Sequence, residues 1–231
     1  RSLGGRETDP VTFARVVEEL ALAAPAAGWA MQAGNTGSWW ASRMTEEGVA
    51  ELFADGPDPI MAASFSPPHR AEEVPGGYRF TGRGALASTV HHSPWLLMSG
   101  IVFDGEQPRM TPAGPMILAL VMRTRELEIV DTWHALGMRG TDSQDVVADG
   151  VFVPASRAYA LSPAFEPGAH FGGPLYRMPA SISVSAVVAP VALAIARTAI
   201  GALRELADRK VPLGSMKTLR PPAAGQASLP R

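Results

Sequence analysis

Apolar positions along the chain recur with two different periods, and the switch between them divides it into three stretches. Asp9-Pro10 supplies an N-cap followed by proline at the first helical position, and Phe13, Val16, Val17 and Leu20 then recur at helical spacing. The pattern predicts a second helix over 26–42 and a third over 45–54, where Glu46 and Glu47 suit the positive end of the helix dipole and Asp55-Gly56-Pro57 ends it. Beyond Gly56 the apolar runs shorten and are punctuated by Gly, Pro and Asp. Strands are predicted over 60–65, 78–80, 95–102, 116–122, 127–132 and 146–153. Pro75-Gly76-Gly77 marks a hairpin turn. Six short strands within about 95 residues fit a small sandwich or barrel. A Pro- and Gly-rich loop runs from Pro154 to Pro179. A long helix follows, with Val184, Val187, Val188, Val191, Ile195, Ala199, Leu203 and Leu206 on one stripe and a kink expected at Pro190. The expected class is α+β: a helical N-terminal part over 1–56, a β-barrel or sandwich domain over 57–160, and a linker with the start of a helical bundle over 161–231.

Composition narrows the function classes. The 231 residues are 46% hydrophobic and 18% charged, in the globular range. A net charge of −2 gives no basic footprint for nucleic acid, and the absence of cysteine removes disulfide scaffolds and thiolate metal sites. No metal site is expected. No basic, apolar leader opens the chain, and a cytoplasmic protein is expected. Residues 178–196 carry no charge and approach the length of a membrane span. They include Ser181, Ser183, Ser185 and Pro190, however, and run on into a charged amphipathic helix. The expectation is a helix buried on most sides by protein, with no membrane association. A start at Arg1 and an end at Gln226–Arg231 without a helix stop read as part of a longer protein.

The densest signal is 132–157, TWHALGMRGTDSQDVVADGVFVPASR. A glycine-punctuated polar loop holds Arg139, Thr141 and Ser143, and a strand then ends in Phe-Val-Pro. This arrangement resembles the middle domain of the acyl-CoA dehydrogenase superfamily, which reads G-x-R-G-T-x-S before a run ending V-F-V-P. A second segment, GGYRFTGRGALASTVHHSPW over 76–95, is similar to the family's G-G-Y hairpin and the run that ends at Trp95. The order helices, β domain, helices is also the family's. The resemblance covers about 10–230.

Several roles follow from that resemblance. It places Ser88 where the family has a hydroxyl that hydrogen-bonds the flavin ring near N5, and Leu86 where classical members carry a Trp covering the flavin. Read on its own, Ser88 is an ordinary turn hydroxyl. Phe65, within SFSPPHRAEE over 64–73, corresponds to a flavin-lining stretch, and Thr141 and Ser143 to cofactor contacts. The 64–73 segment lacks the family's acidic residue before Pro and its Gly-Ser-Asp, a departure that resembles the hydroxylase branch. His91 and His92 are adjacent, so on a strand they point to opposite faces and make no metal pair. His92 matches a histidine of some reduced-flavin monooxygenases and is the candidate acid/base. Arg139 is the candidate for an anionic or phenolic substrate by forked hydrogen bonds, against a loop-stabilising role. Lys210 stands where the family places a basic residue on cofactor phosphates, or is a cation at a helix C-terminus. Trp39, Trp40 and Trp133 are expected in packing.

The resemblance implies a flavin-dependent oxidoreductase using FAD or FMN and assembling as a homo-oligomer, a tetramer in most of the family. The preferred reading is a monooxygenase that takes reduced flavin from a separate reductase and uses oxygen to hydroxylate a small aromatic substrate. The alternatives are an FAD-dependent acyl-CoA dehydrogenase and a flavin-less scaffold of the same fold.

Overall fold

The computed structural model describes residues 2–162 and 165–220; the side chains of Ser38, Pro67 and residues 180–186 are not described. The tail on which the reading of the chain's end rests therefore lies outside the described residues, as do the side chains of Ser181, Ser183, Val184 and Ser185.

Three helices open the chain: α1 (Pro10–Ala23), α2 (Pro25–Trp40) and α3 (Glu46–Leu52). The Asp9 carboxylate accepts from the Val11 and Thr12 amides at 3.0 Å, and Thr45 caps α3 by accepting from the Gly48 amide at 3.2 Å. On α1 the packing is carried by Val17 and Ala21, whereas Val16 and Leu20 of the expected stripe are largely exposed. The strands are β1 (Met61–Val74), β2 (Gly77–Ala87), β3 (Trp95–Asp104), β4 (Gln107–Pro108), β5 (Met110–Thr111), β6 (Gly114–Pro115), β7 (Ile117–Arg123), β8 (Glu128–Val130), β9 (Gln144–Pro154) and β10 (Ala158–Ala160). They form one sheet ordered β10-β7-β3-β1-β2-β9-β8 with β4 on β3, and a small β5-β6 ribbon. Among the described residues only β1 and β3 pair in parallel. The β1–β2 hairpin turns at Pro75-Gly76, Gly76 taking φ +84 as a type II turn requires.

Two cores explain why the central strands read as unbroken apolar runs. Consecutive residues of a strand point to opposite faces. Trp95 and Leu97 of β3, with Val121 of β7, pack under the helices against Trp39, Trp40, Val49 and Leu52. Leu96, Met98, Leu118, Leu120 and Met122 instead point into the curled sheet, against Phe80, Val146 and Val153. Both faces are covered, so neither needs polar residues.

Two expectations are corrected here. Residues 64–73 lie within a 14-residue strand, β1. Three residues loop out of register with β3 between Ser64 and His69, a bulge that accommodates the prolines. Second, α4 (Ala180–Arg209) is not buried on most sides: among the described residues α1 and α2 cover only a narrow face around Val191 and Ala194, while Leu193, Ile195, Ile200, Leu203 and Leu206 are exposed. Its apolar residues surround the helix, and only one side meets a partner. By length and composition alone, Val187–Arg209 is apolar enough to cross a membrane, with mean hydropathy 1.6.

Candidate active site

The end of β2 and the loop before β9 meet at a row of buried hydroxyls. Ser88 Oγ lies 2.7 Å from Ser143 Oγ, which lies 2.7 Å from Thr141 Oγ1. All three residues are at least nine-tenths buried. The indole N–H of Trp29, on α2, donates to Ser88 Oγ at 2.9 Å. The two loops are also joined through the backbone, the Thr89 amide donating to the Thr141 carbonyl at 2.8 Å.

Asp142 fastens the same junction. Its carboxylate accepts from the His91 amide at 3.0 Å and meets His91 Nδ1 at 2.8 Å. Burial alone would raise the Asp142 carboxyl, but the bonds from His91 and Gln144 outweigh it and hold the group below the usual carboxylate range. Gln144 orders the far side of the loop, its Oε1 accepting from the Thr132 and Trp133 amides at 2.9 Å.

Backbone strain concentrates here. Five non-glycine residues adopt positive φ among those described, and four of them flank the row: Leu86 at 57°, Thr89 at 64°, Met138 at 56° and Asp142 at 51°. For a branched residue such as Leu86 this conformation costs about 1–2 kcal/mol and persists only because its surroundings fix it. The fixing contacts are visible. Ser64 Oγ donates to the Ala85 carbonyl at 2.7 Å and Ser66 Oγ accepts from the Ala85 amide at 2.7 Å, clamping the β1 bulge to the end of β2. Phe65, between those serines, and Leu86, beside Ala85, are both largely exposed. Phe65 also leans on Trp40, ring centroids 5.7 Å apart.

Of the residues singled out in the sequence, the structure brings Ser88, Thr141 and Ser143 together and sets Phe65 and Leu86 at the clamp beside them. Arg139 is exposed in the 3₁₀ turn Arg139–Thr141. His91 and His92 lie in a 3₁₀ turn, Val90–His92, rather than on a strand, so the opposite-face argument does not apply and both are exposed. His92 borders a surface groove with Arg123 and Arg125. Lys210 is exposed as the C-cap of α4. Sequence reasoning missed Trp29 and Asp142; neither has a local signal, because both act across the fold. A separate cleft of about 530 Å³ lies between α2, the N-terminal segment and residues 170–178, lined by Phe13, Asn35, Trp39, Trp40 and Tyr176. It contains none of the predicted site residues and touches their surroundings only through Trp40.

No family model matches the chain. Individual proteins do. A pigment production hydroxylase of Rhodococcus sp. is 31% identical over 212 residues, 90% of this chain and 51% of the relative. The oxygenase component of an FADH2-dependent resorcinol hydroxylase from Rhizobium sp. is 30% identical over 94% of this chain and 53% of its own length. Among solved structures, XiaF from Streptomyces sp., in complex with FADH2 and glycerol, superposes with a TM-score of 0.84 at 29% identity, over 94% of this chain and 54% of that one. The chain is a homologue of flavin-dependent monooxygenase oxygenase components. It shares their acyl-CoA dehydrogenase-like α+β fold, as the resemblance implied. It spans about half the length of the curated relatives it matches.

Proposed function

We propose that this chain is part of the oxygenase component of a reduced-flavin monooxygenase that hydroxylates a small aromatic substrate. One observation carries the reading: a buried hydroxyl, Ser88, stands on a strained turn beside two exposed apolar side chains, Phe65 and Leu86. Such a surface suits a flat ring system with an apolar face and a polar edge. Phe65 and Leu86 would meet the ring face, and Ser88, backed by Ser143 and Thr141, would hydrogen-bond the N5 edge. The flavin, when bound, supplies the redox chemistry and oxygen activation, and the protein supplies orientation and exclusion of water.

The cofactor is FAD or FMN, the resorcinol hydroxylase and XiaF named with FADH2 supporting FAD, and a separate flavin reductase is the partner of an oxygenase component. Arg139 would orient the substrate's acidic or phenolic group and His92 would serve as acid/base, both from exposed positions on the two loops that carry the hydroxyl row. Lys210, exposed at the end of α4, would contact the cofactor phosphates. The exposed apolar faces of α4 are covered by further helices of the same bundle in a soluble, cytoplasmic homo-oligomer, a tetramer by analogy with the family, and the parts divide at 1–56, 57–160 and 161–231. No observation favours the acyl-CoA dehydrogenase or scaffold alternatives.

The test is titration of the intact protein with oxidised and reduced FMN and FAD, then turnover of Ser88→Ala with a working substrate. One net hydrogen bond contributes about 0.5–1.5 kcal/mol, so product formed per reduced flavin should fall roughly three- to tenfold, the remainder appearing as hydrogen peroxide. Binding of neither flavin, or unchanged coupling in Ser88→Ala, would overturn the reading.

A further inference from the structure

Trp29 lies outside every motif the sequence offered. Its ring packs in the cluster that joins α1, α2 and α4, with Val17, Ala21, Val191 and Met138, and its indole N–H reaches out of that cluster to Ser88 Oγ at 2.9 Å. A serine hydroxyl has one proton and two lone pairs, whereas an indole N–H can only donate. Trp29 therefore fills one lone pair of Ser88 permanently. Ser143, 2.7 Å away, fills a second position, as donor or as acceptor, because its other neighbour is the Thr141 hydroxyl at 2.7 Å.

One valence is left on Ser88, and its polarity depends on the direction of the row. If Ser88 donates to Ser143 and Ser143 to Thr141, the free valence is a lone pair. If Thr141 donates to Ser143 and Ser143 to Ser88, the free valence is the Ser88 proton. The N5 position of a flavin is a donor when reduced and an acceptor when oxidised, and reversal of three hydroxyl protons lets one serine meet either.

We propose that Trp29 is a positioning residue for the flavin edge: its donor-only N–H fixes the Ser88 hydroxyl and leaves a single valence, whose polarity Ser143 and Thr141 set. This deepens the reduced-flavin reading and rests on it. It also makes flavin binding depend on a helix of the N-terminal part, so that displacement of α2 is felt at the ring without any direct contact.

The experiment is a cycle of four intact proteins: wild type, Trp29→Phe, Ser88→Ala and the double variant. Each is titrated anaerobically with reduced and oxidised FMN and FAD, and its thermal midpoint is measured without flavin. Phe keeps most of the ring and removes the donor. Trp29→Phe should weaken flavin binding about three- to tenfold with Ser88 present and have no further effect once Ser88 is Ala. The midpoint changes should be non-additive in the same sense. Equal effects of Trp29→Phe in both backgrounds would mean that Trp29 acts through packing alone, and would overturn this inference while leaving the flavin reading intact. Failure of the wild type to bind either flavin would overturn both. Should Trp29→Phe not fold, Ser143→Ala tests the same row: Ser88 keeps Trp29 but loses its second partner, and a comparable loss of affinity is expected, unchanged affinity being the refuting result.

Discussion

Glu51 on α3 holds two arginines at once, and replacing it with glutamine should loosen the seam between the helices and the sheet. Its carboxylate lies 3.3 Å from Arg157 Nε and 3.5 Å from Arg123 Nη2. Both guanidiniums sit over Trp95, with Cζ 3.6 Å from the ring centroid for Arg123 and 5.4 Å for Arg157. Arg157 is only 6% exposed, and its Nε and Nη1 make no well-aligned hydrogen bond, so Glu51 is its compensation by charge rather than by geometry. At an effective dielectric near 20, each contact is worth about 4–5 kcal/mol before desolvation. Glu51 is itself 38% exposed, which screens the gain, so the net loss for Glu51→Gln should be about 2 kcal/mol. Urea unfolding of the intact protein reads this as a lower midpoint at unchanged m-value. The reasoning has a second arm. If the damage comes from an uncompensated buried cation, Glu51→Gln with Arg157→Met should be more stable than Glu51→Gln alone, since Met restores an apolar fill over Trp95. A loss below about 0.5 kcal/mol for Glu51→Gln, or a double variant worse than the single, would refute it.

Asp142→Asn should cost about 1–2 kcal/mol by weakening the bonds to His91. Because the folded carboxyl titrates below its unfolded value of about 3.9, its contribution is full above that pH and is lost as pH falls through the folded value. Wild-type stability should therefore drop more steeply than the variant's below about pH 4, and parallel acid-unfolding curves would exclude this role. Leu86→Gly should act with opposite signs on two measurements. Releasing the φ of 57° raises stability by less than about 1 kcal/mol after the glycine entropy, read as a slightly higher thermal midpoint, while losing the apolar cover weakens flavin binding about tenfold. A fall in both would show that Leu86 is a packing residue.

Local rules made most of the fold legible. Asp9-Pro10 opens the first helix as read, Thr45, read as the first residue of the third helix, is its cap, and Gly76 turns the hairpin where Pro75-Gly76-Gly77 stood. The β1 strand was cut short because Pro67-Pro68 reads as a break, whereas the structure loops those residues out as a bulge and resumes pairing at His69. For α4 the periodicity identified a helix but not its burial: an apolar stripe states that something should cover it, and which neighbour does so is a property of the assembly.

The site divides along the same line. Ser88, Thr141 and Ser143 were found through their motifs, but nothing in either motif says that residues 55 positions apart share a hydrogen bond, or that an indole from α2 completes the set. Strain was equally hidden. Leucine, threonine, methionine and aspartate carry no sequence signature for positive φ as glycine does, yet Leu86, Thr89, Met138 and Asp142 all adopt it. Each lies within three residues of a member of the hydroxyl row, where the Ser64–Ala85–Ser66 clamp, the Thr89–Thr141 backbone bond and the Asp142–His91 contacts hold the loops. An unconstrained turn would relax or select glycine there. Thr89, Met138 and Asp142 turn toward Ser93, the cluster of α1, α2 and α4, and His91, whereas Leu86 is largely exposed. On the proposed reading the strain is therefore the cost of aiming Leu86 outward while keeping Ser88 at the end of a rigid row.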